Sequence, residues 1–483
     1  MNNHVRFLNH SCIEIKAEDT TILCDPWFEG PAFGDGWSLL YDKSHDINHL
    51  AFDYIWLSHE HPDHFSIATL NKLSAPKTFL YQATKDKKVK TFLEKKGHKV
   101  IELSNNSPVV FGDLILTCVV CDGYDSSLIV KFPDGRILVN INDARVDLNN
   151  YLDQEIIPLL NGDNVDLLMF QFGYANWAGN KGDFNIPKHQ QNLVDCKNEY
   201  AISKLSPKMI MPFASFVYFS HEENFYWNDH SWFDHICKKY KNLKPNFVFP
   251  KPNQTILMNS IDSQNFSKVN SEALKFWNSI HDGIEVKYFS KSFSVDQLEN
   301  QYSVFLSKLH KDNSIFSSLN ENDNFFLKLK IIDLDLVIEV GLLFESFKVI
   351  NDNDNEIVAN ISSEIFMSLF KQLFARGTIT INSRISFNYE LAHRFFLFFF
   401  IPYANNIGIT FNHLNKVSKK MLESIVRTSV MDSIVKFNSQ SKVKMKEDID
   451  ILYKILDVFR DEDSSYEIFN EEPQNTDIEN YNN

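Results

Sequence analysis

The chain has 483 residues, a length that accommodates two or three domains of ordinary size. Its 63 acidic and 48 basic side chains give a formal net charge of −15, which argues against a sequence-independent hold on nucleic acid or anionic lipid. Six cysteines are too few for a secreted disulfide scaffold, and no stretch is long and apolar enough for a membrane span. With no apolar export signal near the N-terminus, we expect the protein in the cytoplasm.

Residues 1–260 alternate short β-rich runs with turn clusters and a few helices. Strands are predicted at residues 5–7, 13–15, 21–24, 54–58, 114–120, 128–132 and 137–141. Ser66 is a typical N-cap for a helix that carries Ile67, Leu70 and Leu73 on one face. Two runs of strands, each followed by helices, predict an α/β sandwich with helices on the outside.

The second half of the chain has a different character. Residues 261–320 are rich in Ser, Asn and Lys and predict a linker or helical segment, and residues 321–460 predict a C-terminal domain of strands and helices. Within it, strands are expected at 327–332, 336–339 and 378–382. Residues 461–483 carry eight acids with no basic side chain, a composition that predicts a disordered tail.

The most informative segment is His59-Glu60-His61-Pro62-Asp63-His64, directly after the predicted strand 54–58. In an extended loop, His59 and His61 point the same way and can bind one metal, while Asp63 and His64 can face a second. Three imidazoles and one carboxylate within six residues suit zinc, iron or manganese. The alternative, a surface loop that is His-rich by chance, fits poorly with a segment between a buried strand and a helix.

This motif resembles that of the metallo-β-lactamase superfamily, which implies an αββα sandwich for residues 1–260. Residues 7–12, 25–37, 211–214 and 220–221 are similar to the catalytic domain of the hydroxylases of CMP-N-acetylneuraminic acid, without a Rieske domain. The resemblance implies that Asp25 supports a ligand histidine from behind and that Asp143 bridges two metals. It also implies that His10 orients a ligand and that Asp63 and Asp143 take part in catalysis.

Two positions depart from the pattern of the superfamily. A third histidine for the first metal is absent after strand 114–120, where Asp122 and Asp125 stand; we expect Asp125 as the ligand, with Asp122 the alternative. The usual Pro-x-His near the end of the domain is Pro212-Phe213-Ala214, and His221 is the nearest substitute. His59, His61 and a carboxylate would form a two-His-one-carboxylate set, which favours non-haem iron and leaves positions open for oxygen.

The sequence has no GxGxxG, no P-loop and no paired Cys-x-His and Cys-x-x-His motifs of a Rieske centre. The expected cofactors are therefore two metal ions, with iron favoured and zinc or manganese as alternatives. An oxygenase of this kind would need a separate electron donor, which could be a ferredoxin, a Rieske protein or a reductase, and a small-molecule substrate.

Three hypotheses follow. The first is a di-iron monooxygenase that hydroxylates a small polar or carrier-bound substrate; the second is a zinc-dependent hydrolase of an ester, lactone or phosphodiester; the third is a non-catalytic metal-stabilised scaffold. Residues 359–383 weakly resemble a sterol-carrier-like module, which would imply an apolar pocket, and a packing or homo-oligomer contact is the alternative.

Overall fold

The computed structural model of the protein describes residues 3–43, 45–121, 125–147, 150–174, 176–229, 232–242, 246–314, 316, 324–350, 356–372, 374–406, 410–411 and 429–455. The chain forms two compact units. The first unit consists of Met1–Ala175 and Lys188–Phe289, and the second unit of Asn176–Pro187 and Ser290–Asn483.

The strands of the first unit are β1 (His4–Asn9), β2 (Cys12–Ala17), β3 (Thr20–Cys24), β4 (Trp37–Leu39), β5 (Tyr54–Leu57), β6 (Thr78–Gln82), β7 (Lys99–Leu103), β8 (Pro108–Phe111), β9 (Leu114–Cys121), β10 (Asp125–Lys131), β11 (Ile137–Asn142), β12 (Leu167–Gln171), β13 (Met209–Phe213), β14 (Val217–Phe219), β15 (Asn246–Phe247) and β16 (Thr255–Leu257). Its helices are α1 (Ile67–Leu70), α2 (Lys88–Lys95), α3 (Ile157–Leu160), α4 (Asn185–Leu205), α5 (Trp232–Tyr240) and α6 (Ser267–His281).

Two seven-stranded sheets form the centre of the first unit, with strand orders β16-β1-β2-β3-β5-β6-β7 and β15-β13-β12-β11-β10-β9-β8. Each sheet is antiparallel at one side and parallel at the other, with β3-β5-β6-β7 and β11-β12-β13-β15 as the parallel parts. The strands β3, β11 and β12 are buried at every position, as expected for strands covered on both faces. This arrangement confirms the predicted αββα sandwich.

The core of the sandwich explains why the first unit extends beyond residue 260. On α6, Ala273 and Trp277 are fully buried, and the ring of Trp277 stacks on that of Phe216 at 4.3 Å between centroids. The structure therefore places the boundary near residue 290, and the expected linker 261–320 is divided between α6 of the first unit and a helix of the second.

The second unit contains α7 (Val295–Asp312), β17 (Phe326–Ile331), β18 (Leu336–Gly341), β19 (Phe347–Ile350), β20 (Ala359–Ile361), α8 (Ser363–Lys371), α9 (Ala375–Asn382), β21 (Ser386–Phe387), α10 (Ala392–Phe398), α11 (Phe400–Asn406), α12 (Ser429–Phe437) and α13 (Ser439–Ile455). A five-stranded sheet of order β19-β18-β17-β20-β21 packs with these helices around its own apolar core. The predicted strand 378–382 is wrong, because these residues belong to α9. The predicted tail 461–483 lies outside the described residues.

None of the helices in the described part of the chain combines the length and the apolar character that crossing a membrane requires.

Candidate metal centre

The ends of several strands meet at one edge of the sandwich, where the candidate metal ligands and their neighbours lie. His10, Asp25 and Ala214 directly follow β1, β3 and β13, and Asn142 is the last residue of β11. All four have positive φ values, of 40°, 40°, 53° and 49°. Non-glycine residues in this region of φ are strained, and such strain concentrates at functional sites.

The first group of candidate ligands is His59, His61 and Asp125, whose donor atoms all lie within 4.8 Å of one another. The Nε2 of His59 lies 2.8 Å from the Nδ1 of His61 and 3.8 Å from the Oδ1 of Asp125. Asp125 opens β10, which places its carboxylate opposite the His-rich loop. The structure thus assembles the two-His-one-carboxylate set expected from the sequence.

A second group forms around His64. Its Nε2 lies 3.5 Å from the Oδ2 of Asp63 and 3.4 Å from the Oδ2 of Asp143. His59 shares a possible metal-binding group with His64 and Asp143, and His10 shares another with Asp63 and His64. His59 and His64 each belong to two of these groups, so the groups lie next to one another. Two adjacent metal ions would require such an arrangement.

The carboxylate of Asp25 fixes the loop from behind. It accepts hydrogen bonds from the backbone N–H of Ser58, from the Ser58 hydroxyl and from the side-chain amide of Asn142 at 2.7–2.8 Å. The Nδ1 of His64 lies 3.0 Å from the same carboxylate, and the Nδ1 of His59 lies 2.9 Å from the Ser58 hydroxyl. Partners at Nδ1 leave the Nε2 atoms of both histidines directed toward the centre, which is typical of metal ligands.

The donor atoms fit a bound metal. Asp63 Oδ1, His64 Nε2 and Asp143 Oδ1 are buried without a hydrogen-bond partner, and such atoms are costly unless something binds them. Metal–donor bonds of roughly 2.0–2.2 Å place neighbouring ligand atoms about 3.0–3.5 Å apart. The separations around His64 match this spacing, so the residues present suit a metal ion.

The charges of the centre are arranged for binding a cation. Burial, together with neighbouring His64, lowers the pKa of His59 to about 4, so its imidazole is neutral at pH 7. Burial would raise the pKa of Asp63, but His64 and His10 outweigh it and hold that pKa well below its usual range. Likewise, burial would lower the pKa of His64, but Asp143 and Asp63 outweigh it and raise that pKa well above its ordinary value.

Lys197 on α4 is a further charged residue of this centre that the sequence did not indicate. Its side chain is only 5% exposed, and burial lowers its pKa, while Asp143, Asp147 and Asp125 act in the opposite direction. Asp147 is itself paired with Arg145 through two hydrogen bonds. The amino group of Lys197 is therefore buried and close enough to the candidate ligands Asp143 and Asp125 to interact with them electrostatically.

The structure brings together most of the predicted site residues: His59, His61, Asp63, His64, Asp125, Asp143, His10 and Asp25. His221 is buried, but it belongs to none of the three groups found among the described residues. Asp122, the alternative to Asp125, lies outside the described residues. The residues that were not predicted from the sequence are Ser58, Asn142 and Lys197. Ser58 and Asn142 directly precede the candidate ligands His59 and Asp143, and this adjacency was the only signal that could have indicated them.

Known proteins match the first part of the chain. Residues 4–120 match the family described as a beta-lactamase superfamily domain. The chain is 29% identical over 237 residues to the cytidine monophosphate-N-acetylneuraminic acid hydroxylase of Danio rerio, a match that covers 46% of this chain and 39% of that protein. The enzyme of Xenopus laevis is also 29% identical, over 248 residues, with the same coverage. The chain thus spans about two-fifths of the length of these relatives.

Among solved structures, CmlA, a diiron β-hydroxylase from Streptomyces venezuelae, is 12% identical, with a TM-score of 0.38 and coverage of 53% of this chain and 54% of that one. The family match, together with the two-sheet sandwich, confirms the metallo-β-lactamase fold of the first unit. The sequence matches confirm the resemblance to the catalytic domain of the CMP-N-acetylneuraminic acid hydroxylases.

Proposed function

We propose that this protein is a dinuclear-metal oxygenase, with iron as the favoured metal, that hydroxylates a small polar or carrier-bound substrate. The observation that carries the proposal is the group of His59, His61 and Asp125. Two imidazoles and one carboxylate form the donor set of many non-haem iron oxygenases, whereas catalytic zinc sites often use three imidazoles.

The candidate ligands that the structure brings together divide between two ions. His59, His61 and Asp125 would hold one ion, and Asp63 and His64 would hold the other. Asp143 would contribute to both sites, because its carboxylate lies 3.4 Å from His64 Nε2 and shares a possible metal-binding group with His59 and His64. Two irons bound in this way would supply the activation of dioxygen.

The proposed hydroxylation requires a source of electrons outside the metal centre. Hydroxylation replaces a C–H bond by C–OH, and the second oxygen atom leaves as water after two electrons and two protons have been added. Since the chain carries no Rieske or nucleotide-binding motif, we propose that a ferredoxin, a Rieske protein or a reductase supplies the electrons.

Aromatic side chains line one side of the centre. The ring of Phe33 contacts that of His61 edge-to-face at 5.9 Å between centroids, and Phe33 packs in turn against Trp37 at 4.8 Å. Phe33 and Trp37 thus place an apolar wall beside His61 of the first group. The matched relatives are named for a nucleotide-linked sugar, so CMP-N-acetylneuraminic acid is the first substrate to test.

The competing hypothesis is a zinc-dependent hydrolase of an ester, lactone or phosphodiester. It is supported by the surroundings of His64, whose Nε2 lies 3.5 Å from Asp63 and 3.4 Å from Asp143, since an imidazole with two carboxylates also suits zinc.

Analysis of the bound metals distinguishes the oxygenase from the zinc-dependent hydrolase. The protein is expressed in medium enriched in iron-57 without added zinc, and its metals are measured by elemental analysis and Mössbauer spectroscopy. We expect about two irons per chain and a coupled di-iron signal, which Asp143→Asn abolishes and the control Asp147→Asn, at a paired carboxylate close to the centre, preserves. Two tightly held zincs, with no iron even under iron-rich expression, would contradict the oxygenase. One ion or none, with neither hydroxylation of CMP-N-acetylneuraminic acid nor hydrolysis of esters, lactones or phosphodiesters, would indicate a scaffold.

A further inference from the structure

His10 stands close to the second group of ligands, although the sequence analysis assigned it only an orienting role. Its side chain is 1% exposed, and it follows the last residue of β1. We propose that His10 is a direct ligand of the second metal ion, together with Asp63 and His64. This inference rests on the dinuclear centre of the proposed function and extends it.

The distances suit one shared ion. The Nε2 of His10 lies 3.3 Å from the Oδ2 of Asp63, and the Nε2 of His64 lies 3.5 Å from that same oxygen. Donor atoms bound to one ion through bonds of roughly 2.0–2.2 Å lie about 3.0–3.5 Å apart. The three side chains therefore already have the spacing of a common coordination sphere.

A purely orienting role for His10 leaves the centre unsatisfied. A hydrogen bond from His10 to Asp63 occupies Oδ2, while Asp63 Oδ1 and His64 Nε2 remain buried without partners. Buried polar atoms without partners are unfavourable. An ion bound to His64 Nε2 would satisfy that atom, and a carboxylate that binds through both of its oxygens would satisfy Asp63 Oδ1 as well.

The backbone explains how His10 reaches this position. Its φ of 40° turns the chain sharply at the end of β1, and its carbonyl oxygen accepts a hydrogen bond of 2.9 Å from the N–H of Ala214. Ala214 is the position where the sequence departs from Pro-x-His and offers no donor side chain. The end of β1 thus supplies an imidazole beside a strand end that lacks one. Trp27 packs edge-to-face against the ring of His10 at 5.3 Å between centroids and holds it in place.

His221 is the rival ligand predicted from the sequence. Its Nδ1 accepts a hydrogen bond of 3.2 Å from the N–H of Glu223, and its own N–H donates to Asn224 at 3.1 Å. His221 belongs to none of the groups of potential metal ligands in the described part of the chain. We therefore assign the third ligand position of the second ion to His10.

The test compares His10→Ala, His221→Ala and His98→Ala in the full chain. His98 is a suitable control, because its Nδ1 accepts a hydrogen bond from Lys77 N–H at the edge strand β7. Metal content is measured after dialysis, and the affinity for cobalt is measured by titration of its visible absorption. We expect two ions per chain in the unchanged protein, His221→Ala and His98→Ala, and a loss of one ion or at least tenfold weaker second binding in His10→Ala.

A second variant separates ligation from orientation and does not depend on the stability of His10→Ala. In His10→Cys loaded with cadmium, a direct ligand gives a thiolate-to-cadmium charge-transfer band that the unchanged protein and His221→Cys lack. If the band is absent and His10→Ala keeps both ions with unchanged cobalt spectra, the inference is wrong. A loss of the second ion in His221→Ala alone would likewise overturn it. An unchanged protein that binds no metal would refute the proposed function itself.

Discussion

The hydroxyl group of Ser58 donates a 2.7 Å hydrogen bond to the carboxylate of Asp25. The same hydroxyl lies 2.9 Å from the Nδ1 of His59. One serine therefore connects the predicted supporting carboxylate with a ligand of the first group. This explains how Asp25 acts on both halves of the centre, since it also contacts His64 directly.

We expect Ser58→Ala to weaken metal binding by about tenfold to a hundredfold, the range found when a partner behind a metal-ligating residue is removed. Isothermal titration with zinc or cobalt measures the change. Ser127→Ala is a matched control, because Ser127 is a buried serine whose hydroxyl accepts a hydrogen bond from Tyr151 and no candidate ligand. Equal affinity in Ser58→Ala and the unchanged protein would contradict the proposed support.

Replacement of Asp125 by histidine tests the role of the carboxylate. Asp125→His would create three imidazoles in the first group, a set that favours zinc over iron. When the protein is expressed with both metals available, we expect the zinc-to-iron ratio to rise at least tenfold, while Asp125→Glu keeps the original preference. Elemental analysis of the purified variants measures the ratio, and an unchanged ratio in Asp125→His would show that this carboxylate does not select the metal.

A protonated Lys197 would oppose cation binding at the neighbouring carboxylates of Asp143 and Asp125. We expect Lys197→Met to bind metal about tenfold more tightly, because a buried charge close to an ion interacts with it on the order of 1 kcal/mol or more. Lys204→Met is the control on the same helix, since Lys204 is exposed and paired with Asp153. Competition with a chelator measures both affinities; weaker binding in Lys197→Met would indicate that the lysine holds the carboxylates in place instead.

A buried ion pair stabilises the second unit and makes its stability depend on pH. Burial raises the pKa of Asp448, but hydrogen bonds from His393 and Arg394 outweigh it and lower the pKa below its ordinary value. Asp448 therefore contributes stability at pH values above about 3.9, the pKa of an unfolded aspartate, and this stability is lost as the pH falls through the lower folded pKa.

We expect Asp448→Asn to reduce the free energy of unfolding by about 3 kcal/mol at pH 7, as found when one partner of a buried pair is removed. The loss should shrink as the pH falls below 4. Hydrogen exchange of residues 392–398, followed by mass spectrometry across this pH range, measures it. The control Asp335→Asn removes an exposed carboxylate paired with Lys330 and should leave exchange unchanged.

The metal centre is most predictable from the sequence where its chemistry is local. His59 to His64 form one short segment after a buried strand, so their common orientation follows from the motif. Asp125 and Asp143 were found because they stand at strand ends, where polar residues from different strands meet. Lys197 and the proposed ligation by His10 depend on contacts between elements far apart in the chain, and no local pattern contains that information.

The segment 378–382 shows a different kind of failure. Its β-branched residues Thr378, Ile379, Thr380 and Ile381 favour a strand by intrinsic propensity. In the structure they belong to α9, which buries Ile379 and Thr380 and is flanked by Phe374 and Ser383, both in the left-handed backbone conformation. Burial in the core of the second unit outweighs the local preference.

The strained strand ends set a limit on how stable this protein can become. Glycine would adopt the positive φ of His10, Asp25, Asn142 and Ala214 without the penalty of about 1–3 kcal/mol that a side chain incurs there. Three of these four side chains contact the candidate ligands, so relaxing their backbone would dismantle the centre. Engineering for durability should therefore begin at Ala214, the one such position whose side chain can be removed while the donor groups stay in place.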